Sequence, residues 1–451
     1  MAAPLIISVS GLRGEIGSSL TPEVAMRYAA AFSASAPAGP FVVTRDGRFG
    51  GSLFADVICA QLQALGRDVL DGGVAATPTT GILVRSNRAA GGIQISASHN
   101  PKQFNGLKLF SAAGRVIPKA EGEKVLPCYR ALESGAQMPA YVPVERLGTR
   151  TVLADTTTAH LNAVLATVDV EAIRAKKFRV LLDSNHGAGS ILGRRLLEAL
   201  GCEVTLLGGE PDGAFEHTPE PTAENLAPIL DTVKGANVAA AFCQDPDADR
   251  LALIDENGRY IGEEYTLAIC AKRKMAKKAG PMVINSATSR MTIDVADSVG
   301  VGCFRSPVGE ANVVDLMLAK NAIFGGEGNG GPIDPAVGLV RDSFVGMATV
   351  FEAMALSGKP LSALADELPG YAILKKKVTL EPEKIAPTLD RLAEKYAALG
   401  VDRSDGVRID FDHRWALVRA SNTEPIVRII VEAENLAAAE ALCAEMEREM
   451  E

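Results

Sequence analysis

The chain has 451 residues, a formal net charge of −9 and 47% hydrophobic residues. This length and apolar content suit several domains of about 100–200 residues each, and an acidic chain is not expected to bind nucleic acid. We interpret the short lysine clusters at 272–278 and 375–377 as solvated surface. The chain has neither an apolar run of about 18 residues nor a basic, apolar leader, so we expect no membrane partner.

The cysteines and histidines exclude further classes. Seven cysteines are scattered without a CxxC pair, and five histidines form no HxxxH pair. This pattern predicts reduced thiols and no zinc site. We therefore expect a cytoplasmic protein, either a monomer or a homodimer.

A strand–helix–strand pattern occurs three times along the chain, at 41–70, 178–207 and 282–304. Each unit is followed by one apolar strand that ends in a polar loop, and ligands in such α/β sheets bind beyond the carboxyl ends of strands. The last part of the chain alternates in polarity around a loop and ends in a helix from about Leu436. We predict an α/β fold in which three related α/β domains with mixed sheets and a smaller C-terminal α+β domain surround one central cleft. The predicted domains are 1–147 and 148–254, followed by 255–368 and 369–451.

The second polar loop carries three carboxylates at alternate positions, Asp245, Asp247 and Asp249. Carboxylates this close repel one another unless a hard cation such as Mg²⁺ lies between them. An EF-hand is an alternative, but Arg250 stands where that loop needs glycine, and strands rather than helices flank it. A solvated acidic turn is the other alternative.

The first polar loop contains Ser98 next to His99, which suggests an activated nucleophile. The pair alone is a weak signal, and the G-x-S-x-G elbow of serine hydrolases is absent. Downstream, Lys108 is a candidate general acid or base if its pKa is lowered.

The third polar loop, GGEGNGG at 325–331, formally contains G-x-G-x-x-G. A dinucleotide site requires a helix next, whereas Pro332 follows here, so we reject that interpretation. The glycines instead let a ligand approach the backbone, with Glu327 and Asn329 available for sugar hydroxyls.

The last loop is suited to a phosphate dianion that does not react. It lies between two predicted strands and offers the following groups, with a second arginine nearby: Arg419, Ser421, Asn422, Thr423 and Arg428.

Together, and in this order, SASHNP, DPDADR, GEGNGG and RASNTEP resemble the motifs of the α-D-phosphohexomutase family over nearly the whole chain. The resemblance implies an enzyme that isomerises a hexose phosphate through a hexose 1,6-bisphosphate intermediate. It implies that Ser98 carries the phosphoryl group. It further implies that Mg²⁺ is bound by Asp245, Asp247 and Asp249 together with an oxygen of phosphorylated Ser98.

The resemblance also implies roles for the remaining candidates. Glu327 and Asn329 would bind the sugar, and residues 419–428 the distal phosphate. Arg13, in the opening motif SGLRGEIG, would lie in the cleft. Positions linked to proton transfer and phosphate stabilisation are His99, Lys108 and Arg250.

The chain departs from the family pattern at several positions. Pro246 and Ala248 replace the two glycines of the metal motif, and Asn329 and Gly331 stand where many members have Ser and His. The EGNGG variant is most similar to phosphoglucosamine mutases of the archaeal type and their bacterial relatives, which implies interconversion of glucosamine 6-phosphate and glucosamine 1-phosphate. Phosphomannomutase or phosphoglucomutase activity is the alternative. A metal-dependent phosphatase and a non-catalytic sugar-phosphate binder are two further alternatives.

Overall fold

The computed structural model describes residues 3–420 and 426–450. The first domain contains seven strands and four helices. The strands are β1 (Ile6–Ser8), β2 (Gly11–Glu15), β3 (Phe41–Arg45), β4 (Val69–Val74), β5 (Gly91–Ile95), β6 (Phe104–Ser111) and β7 (Arg150–Val152). The helices are α1 (Pro22–Ser35), α2 (Gly51–Ala64), α3 (Thr77–Ser86) and α4 (Lys119–Glu133). The sheet order is β1-β2-β6-β5-β3-β4-β7, so β7, which follows the predicted boundary at Leu147, pairs with the first sheet.

The second and third domains each contain a sheet of four strands. The second has β8 (Arg179–Asp183), β9 (Glu203–Leu207), β10 (Ala240–Gln244) and β11 (Leu251–Asp255), with α5 (Thr158–Leu165), α6 (Val170–Lys176), α7 (Gly189–Ala199) and α8 (Ala227–Ala236). The third has β12 (Met282–Asn285), β13 (Cys303–Ser306), β14 (Phe324–Glu327) and β15 (Gly331–Ile333). Its helices are α9 (Glu263–Lys277), α10 (Met291–Ser298), α11 (Glu310–Lys320), α12 (Ser343–Ser357) and α13 (Leu361–Asp366).

The three sheets share one plan. In the orders β4-β3-β5-β6, β9-β8-β10-β11 and β13-β12-β14-β15, the first three strands are parallel and the last is antiparallel. The prediction of three related α/β domains with mixed sheets is therefore confirmed. Both faces of the third parallel strands are covered, so all five residues of β5 and of β10 are buried, including one glutamine in each strand, Gln94 and Gln244.

The fourth domain is an antiparallel sheet with two helices, which confirms the predicted α+β class, and the second helix begins at the predicted Leu436. Its strands are β16 (Ala372–Thr379), β17 (Val407–Asp410), β18 (Trp415–Ala420) and β19 (Ile426–Ala433), in the order β16-β19-β18-β17. Its helices are α14 (Pro382–Lys395) and α15, which spans Leu436–Arg448. Asn435 caps α15, since its side chain accepts a hydrogen bond from the backbone N–H of Ala438.

The hydrophobic cores divide the molecule unequally. One continuous core joins the second and third domains, because α12 packs against α9 as well as α6 and α7. The first and fourth domains each have a separate core. Among the described residues, no helix has the length and apolar character needed to cross a membrane. All seven cysteines are free thiols.

Candidate active site

Three of the predicted site loops occupy the same position in the three repeated sheets. The serine loop (residues 96–103) joins β5 to β6, the carboxylate loop (245–250) joins β10 to β11, and the glycine loop (328–330) joins β14 to β15. Each follows the carboxyl end of the third parallel strand, the edge where α/β sheets bind ligands. The repeat therefore presents one loop from each domain to a shared site.

Ser98 lies at the contact between the serine loop and the carboxylate loop. Its side chain is buried, and its Oγ donates a hydrogen bond to Asp245 Oδ2 at 2.9 Å. His99 Nδ1 lies 3.3 Å from the same hydroxyl. The backbone of Ser98 has a φ of 50°, in the left-handed region that non-glycine residues rarely adopt. Such strain is typical of residues held for function.

A buried arginine that the sequence analysis did not identify holds the serine loop. Arg48 donates to the carbonyl oxygens of Ser98, of Phe104 at 2.8 Å and of Asn100 at 3.2 Å. Its guanidinium is paired with Asp46 at 2.8 Å, and both side chains are fully buried. The sequence does contain a signal for this pair, since Asp46 and Arg48 directly follow β3 at the ligand-binding edge of the sheet.

The three carboxylates of the carboxylate loop are fully buried and come together. Asp247 Oδ2 accepts hydrogen bonds from Lys108 Nζ at 3.0 Å and from the hydroxyl of Thr77. Asp249 Oδ2 accepts from Lys108 Nζ at 2.9 Å. The loop also contains Ala248 at a φ of 55°, where the family motif has glycine.

This arrangement fits a hard divalent cation. One oxygen from each of the three carboxylates can be chosen so that all lie within 4.8 Å of one another. The Oδ1 atoms of Asp247 and Asp249 are buried and have no hydrogen-bond donor among the described residues. Burial, and then the charges of Asp247 and Asp249, raise the pKa of Asp245 well above its ordinary value. An oxygen-only set of this kind, with residual negative charge, suits Mg²⁺.

Lys108 is cationic, whereas His99 is neutral. Burial alone would lower the pKa of Lys108, but Asp247 and Asp249 outweigh it and raise the pKa. The condition under which Lys108 would have a lowered pKa, a cationic neighbour, is therefore not met, because its hydrogen-bond partners are anions. The pKa of His99 is well below its ordinary value, owing to Arg250 and to burial, so its imidazole is neutral.

Two further predicted arginines lie around this cluster. The backbone N–H of Arg250 donates to Asp245 Oδ1 at 3.1 Å, and its guanidinium Nε lies 3.9 Å from Asp245 and from Asp249. Arg13 reaches Asn100 Oδ1 of the serine loop at 3.4 Å. Both arginines thus add positive charge beside Ser98.

Glu327 at the end of β14 is connected to the carboxylate loop by Arg341, which sequence analysis missed. Arg341 is buried and pairs with Glu327, with Asp249 Oδ2 at 2.6 Å and with Glu310 at 3.3 Å. The other Glu327 oxygen accepts from Asn285 Nδ2 at 2.7 Å. No local pattern marks Arg341, because its three partners lie far away in the sequence. Asn329 is the other predicted sugar ligand, and its Nδ2 donates a hydrogen bond to Glu327 Oε2 at 3.4 Å.

A cavity of about 580 Å³ lies between the first and fourth domains. Arg13, His99 and Lys108 line it from the first domain, and Arg428 lines it from the fourth. This volume lies within the range of about 300–1,000 Å³ that is usual for ligand pockets. The predicted phosphate ligands Ser421, Asn422 and Thr423 lie outside the described residues, whereas Arg419 is described and pairs with Asp405 at 3.1 Å. The structure thus brings His99 and Lys108, which lie beside Ser98 and the carboxylate loop, to the same cleft as Arg428, which is distant in the sequence.

The models of the phosphoglucomutase/phosphomannomutase alpha/beta/alpha domains I, II and III match residues 5–135, 158–258 and 262–371. The model of the C-terminal domain matches 376–449. The chain belongs to the phosphoglucomutase/phosphomannomutase family.

Similar proteins bear two kinds of name. A Thermococcus kodakarensis protein named phosphoglucomutase/phosphomannomutase is 36% identical over 94% of both chains. A Methanopyrus kandleri protein named probable phosphoglucosamine mutase is 32% identical over 94% of this chain and 93% of its own. The crystal structure of a phosphoglucomutase/phosphomannomutase family protein from Burkholderia thailandensis has the same fold, with a TM-score of 0.85, 24% identity, and coverage of 99% and 98% of the two chains.

Proposed function

We propose that this protein interconverts glucosamine 6-phosphate and glucosamine 1-phosphate through phosphorylated Ser98. The observation that carries the role of Ser98 is the contact of its hydroxyl, 2.9 Å from Asp245, with a buried carboxylate cluster suited to a divalent cation. The choice of glucosamine rests on the EGNGG motif and on the similarity to proteins named probable phosphoglucosamine mutase. A serine that only stabilised a loop would have no need of three buried carboxylates beside it. Nor would it need the cationic side chains that surround those carboxylates, among them Lys108, Arg250 and Arg341.

The first transfer begins with phosphorylated Ser98 and a hexose monophosphate. The free hydroxyl oxygen of the sugar attacks the phosphorus, the bond between phosphorus and Ser98 Oγ breaks, and the hydroxyl proton passes to a base. This step yields a hexose 1,6-bisphosphate. After the bisphosphate turns over in the cleft, its other phosphoryl group returns to Ser98 Oγ and the isomeric monophosphate leaves.

The side chains around Ser98 fit these steps. His99 is neutral and lies 3.3 Å from Ser98 Oγ, so it can accept a proton, whereas Lys108 is cationic and can donate one. Arg13 and Arg250 offset negative charge on the transferring group, which is the main contribution in phosphoryl transfer. Mg²⁺ held by Asp245, Asp247 and Asp249 would supply further positive charge beside the phosphoryl oxygens.

The fourth domain supports the same reaction. Arg428 lies across the cavity from His99 and Lys108 and would hold the phosphate that does not react. Because the fourth domain has a core of its own, it can move as a unit. We propose that its closure excludes water, which would otherwise hydrolyse phosphorylated Ser98. The free cysteines support a cytoplasmic location.

The role of Ser98 is tested with Ser98→Ala. We expect isomerisation to fall below a few percent of wild type and the protein to lose phosphoryl labelling from a sugar bisphosphate. Ser111→Ala is the matched control, because Ser111 is a buried serine of β6 whose hydroxyl has no partner among the described residues. Retained turnover in Ser98→Ala with normal folding would refute the nucleophile assignment.

The substrate is tested with the wild-type enzyme, Mg²⁺ and a trace of bisphosphate. Values of kcat/KM are compared for glucosamine, mannose and glucose phosphates. A preference of ten-fold or more for glucosamine phosphate supports the proposal, while a preference for mannose or glucose phosphate retains the mechanism and changes the substrate.

A further inference from the structure

The sheet of the fourth domain carries three cations in direct cross-strand register. Lys377 of β16 lies opposite Arg428 of β19, and Arg428 lies opposite Arg419 of β18. Side chains directly opposite one another on antiparallel strands have Cβ atoms about 4.5–5.5 Å apart, and like charges at this spacing are destabilising. We call these three residues the basic row.

Two of the three charges are not balanced by carboxylates of the described residues. Arg419 pairs with Asp405 at 3.1 Å, so together they carry no net charge. Arg428 has a buried Nε without a hydrogen-bond partner in the described parts of the chain. Of the lysines at 375–377, Lys376 is the one that pairs with a described carboxylate, Glu447 at 2.6 Å. The basic row therefore retains the charges of Arg428 and Lys377, in a chain whose net charge is −9.

Lys377 faces the cavity, and its neighbour Lys376 does not. Lys377 and Arg428 both line the cavity that contains Arg13 and Lys108 on its far wall. Successive side chains of a strand point to opposite faces, which places Lys376 on the other face of the sheet, beside Glu447. Lys377 is exposed, as the interpretation of the 375–377 cluster as solvated surface predicted, and it also lines the cavity.

We propose that Lys377 binds the phosphate of the hexose phosphate that is not reacting, next to Arg428. This inference rests on the proposed function and adds a ligand that the loop motif at 419–425 did not reveal. A phosphate monoester carries close to two negative charges at neutral pH. The charges of Arg428 and Lys377 match this dianion, and the phosphate in turn removes the repulsion within the basic row.

The test compares Lys377→Gln with its matched control Lys376→Gln, which removes the same charge from the same strand on the opposite face. For Lys377→Gln we expect KM to rise about ten-fold, because a charged hydrogen bond to the phosphate is lost and is partly replaced by water. The rise should be equal for the 1-phosphate and the 6-phosphate, with kcat within about two-fold. Lys376→Gln should leave both constants unchanged, since exposed ion pairs contribute little. Lys377→Arg should restore KM.

Direct binding separates this inference from the proposed function. Dissociation constants of glucosamine, mannose and glucose 6-phosphates are measured by calorimetry for the same variants at low and moderate salt. If the wild type isomerises these sugars and Lys377→Gln equals Lys376→Gln, the role of Lys377 is refuted while the mutase remains. If the wild type isomerises none but Lys377→Gln weakens binding about ten-fold, the phosphate site is supported and the mutase proposal fails. If the wild type neither binds nor isomerises them, both are refuted.

Discussion

The serine loop and the carboxylate loop occupy equivalent positions in repeated sheets, yet they are held in opposite ways. The serine loop is held by its own domain, where buried Arg48 donates to the backbone carbonyl of Ser98 and to that of Phe104 at the start of β6. The carboxylate loop is held by neighbouring domains, since Lys108 comes from the first and Arg341 from the third. One loop is thus fixed by hydrogen bonds to its backbone and the other by charges on its side chains.

The difference follows from what each loop must bury. A serine hydroxyl is neutral, so its loop needs only partners for its polar backbone groups. Three buried carboxylates must be balanced by cations, and one loop of six residues cannot supply enough of them. The proposed nucleophile, Ser98, can therefore be arranged by the first domain alone, whereas the carboxylate cluster requires three domains in contact. The ion pairs that balance the three carboxylates therefore also connect the domains.

The largest expected effect is that of Arg341→Met, which removes the connection between Asp249, Glu327 and Glu310. Removing one partner of a buried ion pair costs about 3–5 kcal/mol, so the free energy of unfolding should fall by that order. We also expect weaker Mg²⁺ binding, because Asp249 loses the group that orients it, and a fall in kcat of about a hundred-fold. These quantities are measured by chemical unfolding, by titration of activity with Mg²⁺ and by steady-state kinetics.

Arg48→Met provides the direct contrast. This variant should also unfold more easily and lose kcat, but the affinity of its unphosphorylated form for Mg²⁺ should match the wild type, because Ser98 then supplies no phosphoryl oxygen to the cation. Arg194→Met, which removes an exposed pair with Glu198, is the stability control and should change unfolding by less than about 0.5 kcal/mol. If Arg48→Met and Arg341→Met weaken Mg²⁺ binding equally, the two loops are not held independently.

The positions of the site loops could be predicted from the sequence, but the residues that hold these loops in place could not. The repeated strands and helices follow from periodicity and glycine punctuation, as in α2, where Phe54, Ile58 and Leu62 recur at helical spacing and are buried. The three loops could be predicted to converge because each follows an equivalent strand. The short spacing of Asp245, Asp247 and Asp249 likewise predicted the cluster.

The supporting residues could not be found in this way. Arg341 pairs with side chains from 14 to 92 positions away in the sequence, so its role depends on the assembled domains. The raised pKa of Lys108 likewise depends on Asp247 and Asp249, which come from another domain. Cross-strand register, rather than composition, distinguishes Lys377 from Lys376.

The next prediction concerns Glu264, which, unlike the carboxylates of the carboxylate loop, forms no ion pair with a described residue. Glu264, at the start of α9, has one buried oxygen without a donor among the described residues, and burial raises its pKa to about 8. The folded protein therefore binds this proton more tightly than the unfolded chain does. The stability that it contributes is complete below the ordinary pKa of 4.5 and is lost as the pH rises towards 8.

Glu264→Gln should flatten this dependence. At pH 8.5 we expect the variant to exceed the wild type in free energy of unfolding by about 2 kcal/mol, and at pH 5 the two should be nearly equal. Glu198→Gln, on the exposed face of α7, is the control and should follow the wild type at both values. A Glu264→Gln variant that loses stability equally at both pH values would show that the carboxylate is already balanced.

The smallest expected effect concerns the backbone strain that the two loops share. Ala248 has a φ of 55° and Ser98 a φ of 50°, and a left-handed alanine costs about 1 kcal/mol relative to glycine. Ala248→Gly removes this cost but adds freedom to the unfolded chain, so the free energy of unfolding should change by less than about 1 kcal/mol. Activity and Mg²⁺ affinity should stay near wild type, because the main chain already has the conformation that glycine prefers.

Ala248→Val tests whether that conformation is needed. A β-branched residue is strongly disfavoured at positive φ, and the Ala248 side chain already lies close to Gly189 at the start of α7. The loop would have to shift, so stability and Mg²⁺ affinity should both fall, by about 2 kcal/mol and about ten-fold respectively. If valine is tolerated without loss of Mg²⁺ affinity, the carboxylates do not depend on the left-handed turn. At Ser98 the same relief is unavailable, because glycine there would also remove the hydroxyl that the proposed reaction uses.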